Sequence, residues 1–176
     1  MSNCLNITGI SPDPLDADSI TISVMDPTSP YGLVESQIGI LKTNGDVTVS
    51  FGPNVIAGNN YYIKLNHRNS TETWSANPIQ LFANTTYIFS SSISQAYSSN
   101  QALTSDAAYA AMFGGDITQD GAIDGSDFLV FDVTNQEGGG GYDVSDLNGD
   151  GAVDGTDFLI YDTNLQNGVG SAVPFP

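Results

Sequence analysis

Apolar and polar residues alternate with a period of two from Cys4 to about Ser92. Ile20, Ile22 and Val24 are separated by Thr21 and Ser23, the pattern of a strand with one buried face. Val47, Val49 and Phe51 repeat it, as do Tyr61, Ile63 and Leu65, and then Tyr87 and Phe89. Asn44-Gly45, set between Ile38-Gly39-Ile40-Leu41 and Val47-Thr48-Val49, is a two-residue hairpin signal. Breaks at Pro12, Pro14, Pro27, Pro30, Gly52-Pro53 and Pro78 divide the region into about seven short strands, and no helical period shows in it. The expectation for residues 1–92 is a β-sandwich of the immunoglobulin-like or transthyretin-like kind, which makes the chain mainly β.

The pattern then changes twice. Residues 93–112 are rich in Ser, Gln, Asn and Ala without a long apolar stripe, and read as a connector ordered in part by packing of Tyr97, Tyr109 and Phe113. Residues 113–176 form a separate small module around two stretches thirty residues apart, Asp116 to Asp127 and Asp146 to Asp157. Each places oxygen-bearing side chains at positions 1, 3, 5, 9 and 12 of a twelve-residue loop, Gly at position 6 and an aliphatic residue at position 8. This is the ligand spacing of an EF-hand calcium loop, with Asp in place of Glu at position 12. Calcium takes six to eight oxygens, so a loop wraps it only by turning sharply at its middle, which Gly121 and Gly151 permit. The position-7 ligand is a backbone carbonyl, here that of Ala122 and Ala152.

Ile123 and Val153 are expected to point away from the metal and pair the two loops across a small apolar core. A pair of acidic, Gly-rich surface turns is the simpler alternative. Two loops in register, each running into Asp-Phe-Leu-(Val/Ile)-(Phe/Tyr)-Asp, set it aside. Phe128 to Phe131 and Phe158 to Tyr161 are soon followed by Thr, Asn or Gly, so each exiting helix is expected to last one or two turns. Gly138 to Gly141 reads as a flexible tie between the loops, and Val169 to Pro176 as an apolar, extended tail.

Paired loops with Asp at position 12 and no entering helix resemble the dockerin family over roughly residues 115–168. The resemblance implies two calcium ions. Asp116, Thr118, Asp120, Ala122, Asp124 and Asp127 would hold one, and Asp146, Asn148, Asp150, Ala152, Asp154 and Asp157 the other. Dockerins that bind a cohesin use loop positions 10 and 11 and the following helix, often with a basic residue after it. Gly125-Ser126 and Gly155-Thr156 occupy those positions here, and Asp132 and Asp162 stand where the base would be, which weighs against that partner. Pro27 to Tyr31, Asn66 to Asn69 and Glu72 to Pro78 are similar to a β-sandwich module of secreted Bacteroidota-type surface proteins, in which a dockerin-like calcium pair follows directly. That likeness implies an exported structural or adhesive role.

Charge sharpens the metal reading. The formal net charge is −17, from 20 acids against Lys42, Lys64 and Arg68. Twelve of the acids lie between Asp116 and Asp162, where no Lys or Arg occurs. Such a segment stays compact only with cations, since unpaired carboxylates repel at close range. The same charge speaks against nucleic acid or an anionic membrane surface as a partner, and no apolar run approaches the roughly 18 residues of a membrane span. Met1 to Cys4 lack the basic and apolar regions of a secretory leader, so the expected start is a processed or trimmed one. Cys4 is the only cysteine and is expected to be a small buried apolar side chain. Loops that load at millimolar calcium suit an extracellular or cell-surface setting.

Catalytic chemistry is sparse, and no enzyme activity is expected. His67 is the only histidine, no Ser sits in a Gly-x-Ser-x-Gly elbow, and a zinc site needs more His or Cys than the chain has. Acid pairs suited to glycoside hydrolysis fall inside the calcium loops. Asn6, Asn69 and Asn84 open N-glycosylation sequons, and Asp18-Ser19-Ile20 is similar to the O-glycosylation signal of Bacteroidota exported proteins. The expected function is an extracellular calcium-binding structural subunit or surface module that self-assembles into a fibre or surface layer. Cys4 to Ile10 would serve as a strand added to a neighbour's sheet, carried by the stiff spacer Ser11 to Pro14. The alternatives are a dockerin anchoring an exported protein to a cohesin-type scaffold, and a carbohydrate-binding module using Tyr31, Tyr61, Tyr62 and Trp74.

Overall fold

Two antiparallel sheets carry the regular pairing of the chain. They are seen in a computed structural model that describes residues 2–175; Met1, and Pro176 at the end of the expected tail, lie outside the described residues. The larger sheet contains β1 (Asp16–Met25), β2 (Leu33–Lys42), β3 (Asn60–His67) and β4 (Ser70–Trp74) in the order β2-β1-β3-β4, with β5 (Ile79–Gln80) also pairing β3. A two-stranded sheet joins β6 (Ala102–Leu103) to β7 (Ala110–Ala111). The chain is mainly β, as its alternation predicts.

β1 lies centrally, with Ile22 opposite Gln37 of β2 and Leu65 of β3. Ile20, Ile22 and Leu65 form a buried cluster on one face, joined by Val24, Tyr61 and Leu81 farther along. The opposite face carries Met25, Tyr62 and Trp74, with Tyr31, Tyr97 and Val173 packed against them.

Two segments expected to be strands are not. Residues 47–51 and 87–88 make no ladder, and Phe89–Ser91 is a 3-10 turn. Val47, Val49, Phe51 and Phe89 nevertheless pack onto the Ile20 cluster. Their alternation records burial on one side, which an extended segment laid across a sheet satisfies as well as a paired strand does. Residues 93–112 are more structured than a connector. They hold 3-10 turns at Ile93–Gln95 and Tyr97–Ser99 and the β6–β7 hairpin. Tyr97 packs edge-on against Tyr62 with centroids 6.5 Å apart, whereas Tyr109 is exposed.

The N-terminal segment departs furthest from expectation. Cys4–Ile7 is a helical turn, α1, not an extended strand. The N–H groups of Ile10 and Ser11 both return to the Leu5 carbonyl, so the chain folds back instead of reaching outward. Cys4 and Leu5 are buried. A donor strand over Cys4 to Ile10 is therefore not formed.

The last third contains two equivalent helices, α2 (Gly125–Gln136) and α3 (Gly155–Gln166), of 12 residues each. They are longer than expected, and their polar ends bond within the helix. Thr134 Oγ1 donates to the Val130 carbonyl at 3.1 Å, and Gln136 Nε2 to Asp132 at 2.6 Å; Thr163 and Gln166 repeat this with Leu159 and Asp162. Gly138 and Gly168 then take positive φ and end the helices in matching C-terminal turns.

Candidate metal centre

Each loop is shaped from its first and last carboxylates. Asp116 accepts the N–H groups of Asp120 (3.1 Å) and Gly121 (3.2 Å), and Asp146 accepts those of Gly149 (2.7 Å) and Gly151 (2.9 Å). Gly121 and Gly151 have φ of 92° and 86°, which is why position 6 must be glycine. At position 12, Asp127 accepts from Thr118 N–H at 2.9 Å and from Asp124 N–H at 2.9 Å. Asp157 does the same with Asn148 (3.0 Å) and Asp154 (3.0 Å). The bonds to Asp124 and Asp154 complete capping boxes, so one aspartate both closes the loop and starts the helix.

All four of these carboxylates are buried, with Asp127, Asp146 and Asp157 at 0% and Asp116 at 2% exposure. Burial first, and the Asp127 charge second, push the Asp116 carboxyl up to about 6. Burial likewise raises Asp146, against the N–H groups of Gly151 and Gly149. In the first loop no ammonium or guanidinium of the described residues faces the two buried carboxylates, which are then stable only with a cation between them or a proton on one; in the second, Arg68 lowers Asp146 in part.

Positions 5 and 9 are exposed in both loops, as is Thr118 at position 3, while Asn148 is half-buried. Asp120 and Asp150 accept the N–H of Ala122 and Ala152 at 2.9 Å, and Asp124 and Asp154 cap Ser126 and Thr156. Those caps hold Asp124 and Asp154 below the usual carboxylate range. Among the described residues no three His, Cys, Asp or Glu side chains gather into a metal-holding group. The structure thus buries the two end carboxylates of each loop and leaves the side chains of positions 5 and 9 exposed at its rim, not gathered around one point. The Ala122 and Ala152 carbonyls accept no hydrogen bond among the described residues. An all-oxygen set of this kind fits a hard cation such as calcium.

The two loops share a small apolar core, in which Ile117 of the first joins Val153 of the second, but among the described residues their backbones do not bridge one another. Ala122 bridges Gly170, and Ala152 bridges Gly140. Ile123 N–H donates to Val169 and Ser171 N–H to Gly121; Val153 N–H donates to Gly139 and Gly141 N–H to Gly151. Each loop is therefore clasped by the segment that follows the other loop's helix. The Gly138 to Gly141 run is one of these clasps and not a flexible tie. Ile123 and Val153 are buried as expected. Phe131, Ile117 and Val153 form the core, and Tyr161 is buried with its hydroxyl 2.8 Å from the Asp124 carbonyl.

Contacts to the sheet were not legible in the loop motif. The β3–β4 turn enters between the two loops, where buried Asn69 donates to the Asp146 carbonyl at 2.9 Å and accepts from Gly115 N–H at 2.8 Å. Cys4 Sγ lies 3.6 Å from Asp146 Oδ2 and Ser2 Oγ 3.0 Å from the Asn148 carbonyl, so the N-terminal turn covers the second loop. Burial lifts the Cys4 thiol to about 11, although Arg68 opposes it. The tail runs from the first loop to the sheet, where Tyr31 donates to the Phe175 carbonyl at 2.7 Å.

The other candidate residues are also placed. His67 lies 3.0 Å from Asp18 and 3.0 Å from Asn69. Burial alone would raise the Asp18 carboxyl, but His67, Tyr142 and Arg68 outweigh it and hold the group at about 2. Tyr61, Tyr62 and Trp74 are buried and form no exposed aromatic strip. Asn69 is 1% exposed, Asn6 Nδ2 is engaged by the Ser11 carbonyl, and Ser19 Oγ is 2.9 Å from Tyr142 Oη. Asn84 alone among these candidates sits in an exposed turn. No helix of the described residues is long and apolar enough to cross a membrane. No protein-family model, curated protein or solved structure matches this chain.

Proposed function

We propose that the chain is an extracellular, calcium-binding structural module, not an enzyme, in which two dockerin-like loops fasten a helix pair to a β-sandwich. The observation that carries this reading is the pair of buried carboxylates at positions 1 and 12 of each loop, Asp116 with Asp127 and Asp146 with Asp157. A divalent ion there would neutralise both, with Thr118 or Asn148, Asp120 or Asp150, Asp124 or Asp154 and the position-7 carbonyls completing its oxygen shell. Bound calcium would supply fixed positive charge and cross-links between chain segments.

Calorimetric titration of metal-stripped protein tests it, with two calcium ions as the expected count. The second loop should bind more tightly, because Asn148 offers a carbonyl oxygen where Thr118 offers a hydroxyl. Asp146→Ala should accordingly remove the tighter phase and Asp116→Ala the weaker one. One site, or none, would refute the count.

Self-association suits this role through surfaces other than the N-terminal segment. β2 lies at the edge of its sheet and exposes Leu33, Ile38 and Ile40. A second reading, docking onto a scaffold protein as the dockerin resemblance implies, is favoured by the exposed Leu129 and Val133 of α2.

A further inference from the structure

We propose that Arg68 is the resident cation of the second loop, holding Asp146 and the turn before it in the binding arrangement ahead of any ion. The second loop then keeps its shape without metal, and the first does not. This inference rests on the calcium reading and concerns how one of its two sites is prepared.

The Arg68 side chain is 12% exposed and is fixed from three sides. Its Nε donates to Asp18 at 3.1 Å, its Nη1 to the Asp143 carbonyl, and its Nη2 to the Asp146 carbonyl at 3.2 Å. The guanidinium also lies over the Tyr142 ring, 4.6 Å from the centroid. Asp18 is itself immobilised by the Tyr142 hydroxyl at 2.5 Å and His67 at 3.0 Å. A planar fork with several fixed donors suits this task, since it grips two carbonyls of one turn and a carboxylate at once. It takes the backbone oxygen of Asp146, leaving the carboxylate to the loop's own N–H groups.

Among the described residues the first loop has only neutral counterparts. The Asp116 carbonyl accepts from Gln119 Nε2 at 2.6 Å, and the Phe113 carbonyl, thirty residues before Asp143, accepts from the Thr71 N–H at 2.9 Å. Lys42 is paired with Asp13 and Asp16, and Lys64 with Glu72. The internal repeat therefore differs in its candidate ligands only at Thr118 and Asn148, and is asymmetric in its support.

Cys4 reports on this corner, being 1% exposed with Sγ 3.6 Å from Asp146 Oδ2. Thiol-labelling rates would be measured for the unaltered protein, Arg68→Lys and Arg68→Gln, each metal-stripped and in calcium. The unaltered protein should label within about threefold of its calcium rate when stripped, and Arg68→Gln at least about thirtyfold faster than in calcium. Arg68→Lys, which keeps the charge without the fork, should fall between. Two results overturn the proposal: the unaltered protein opening as far as Arg68→Gln, or Arg68→Gln labelling equally fast in calcium. Should Arg68→Gln fail to fold, amide exchange of the unaltered, stripped protein decides. Protection must persist over residues 146–153 while it is lost over 116–123, and joint loss overturns the idea. Absence of any calcium-binding heat would instead retire the calcium reading, while the stripped-state comparison still judges Arg68.

Discussion

Asn69 joins the sheet to Asp146 through a 2.9 Å hydrogen bond from its side-chain amide to the aspartate's backbone carbonyl. Its own carbonyl receives Gly115 N–H, so one residue of a β-turn touches the start of both loops. Asn69 is 1% exposed, and truncating it would remove a buried bond to the Asp146 carbonyl and the Oδ1 contact to His67, while Gly115 N–H keeps its backbone partner. Asn69→Ala should lower stability in calcium by about 1–3 kcal/mol. Denaturant unfolding would measure this, and a change within error would mean that the junction is not mechanically shared.

Metal removal should act unevenly along the chain. Residues 115–136 depend on the first loop, which has neutral support alone, so their amide protection should fall first. The sheet has its own apolar clusters around Ile22 and Val24 and should keep its protection, as β1 is paired on both sides. Metal binding to a small module is in large part its folding energy. Exchange measured before and after calcium stripping checks this. Uniform loss from β1 to α3 would mean that the chain has no separable part.

The shape of the loops was legible because turn and cap spacing is a local property. Asp116 to Asp127 and Asp146 to Asp157 could be marked residue by residue, and the position-6 glycines do take positive φ. The strands around Ile20 and Ile63 were legible for the same reason. What stayed hidden is set by contacts between distant residues. Period-two alternation reports a buried side and not a paired backbone, so Val47 and Phe89 mimicked strands while merely covering a sheet. Nothing local reveals that Gly140 pairs with Ala152 or Gly170 with Ala122. Arg68 was noticed chiefly as one of three basic residues and Asn69 as the start of a sequon, since their partners at Asp143 and Asp146 lie more than seventy residues away.

The pH response should reverse with metal. Asp116 is raised to about 6 from an ordinary 3.8 by burial first and by Asp127 second. Between those values the folded state keeps a proton that the unfolded chain has released. Stability of the stripped protein should therefore be present near pH 4 and be lost as pH rises through about 6. Asp18, held at about 2, acts only in more acid solution, where stability falls as pH drops below its ordinary value. On the proposed reading, bound calcium would replace the Asp116 proton, and the loss on raising pH should vanish. Thermal midpoints between pH 4 and pH 7 distinguish the cases. Equal slopes in stripped and calcium-loaded protein would count against the buried carboxylates as the metal site.

Assembly, where it occurs, should use two surfaces of the folded chain. Among the described residues β2 pairs only with β1 and is the last strand of its sheet, and Ile38 is 72% exposed on it. Two such edges can meet antiparallel about a twofold axis, which closes as a dimer and cannot grow. α2 offers a second patch at Leu129, 69% exposed, and Val133, 56% exposed. A second twofold contact there would link dimers end to end, so two self-closing contacts together generate an open filament. The net charge of −17 opposes both contacts, and two bound calcium ions and added salt should relieve it. Sedimentation in calcium should then show filaments for the unaltered protein. Ile38→Lys and Leu129→Lys should each stop at dimers, and the double variant should remain a monomer. Filaments that survive both substitutions would place the contacts elsewhere. A monomer in every condition would remove self-assembly and leave docking onto a different protein as the use of the α2 patch.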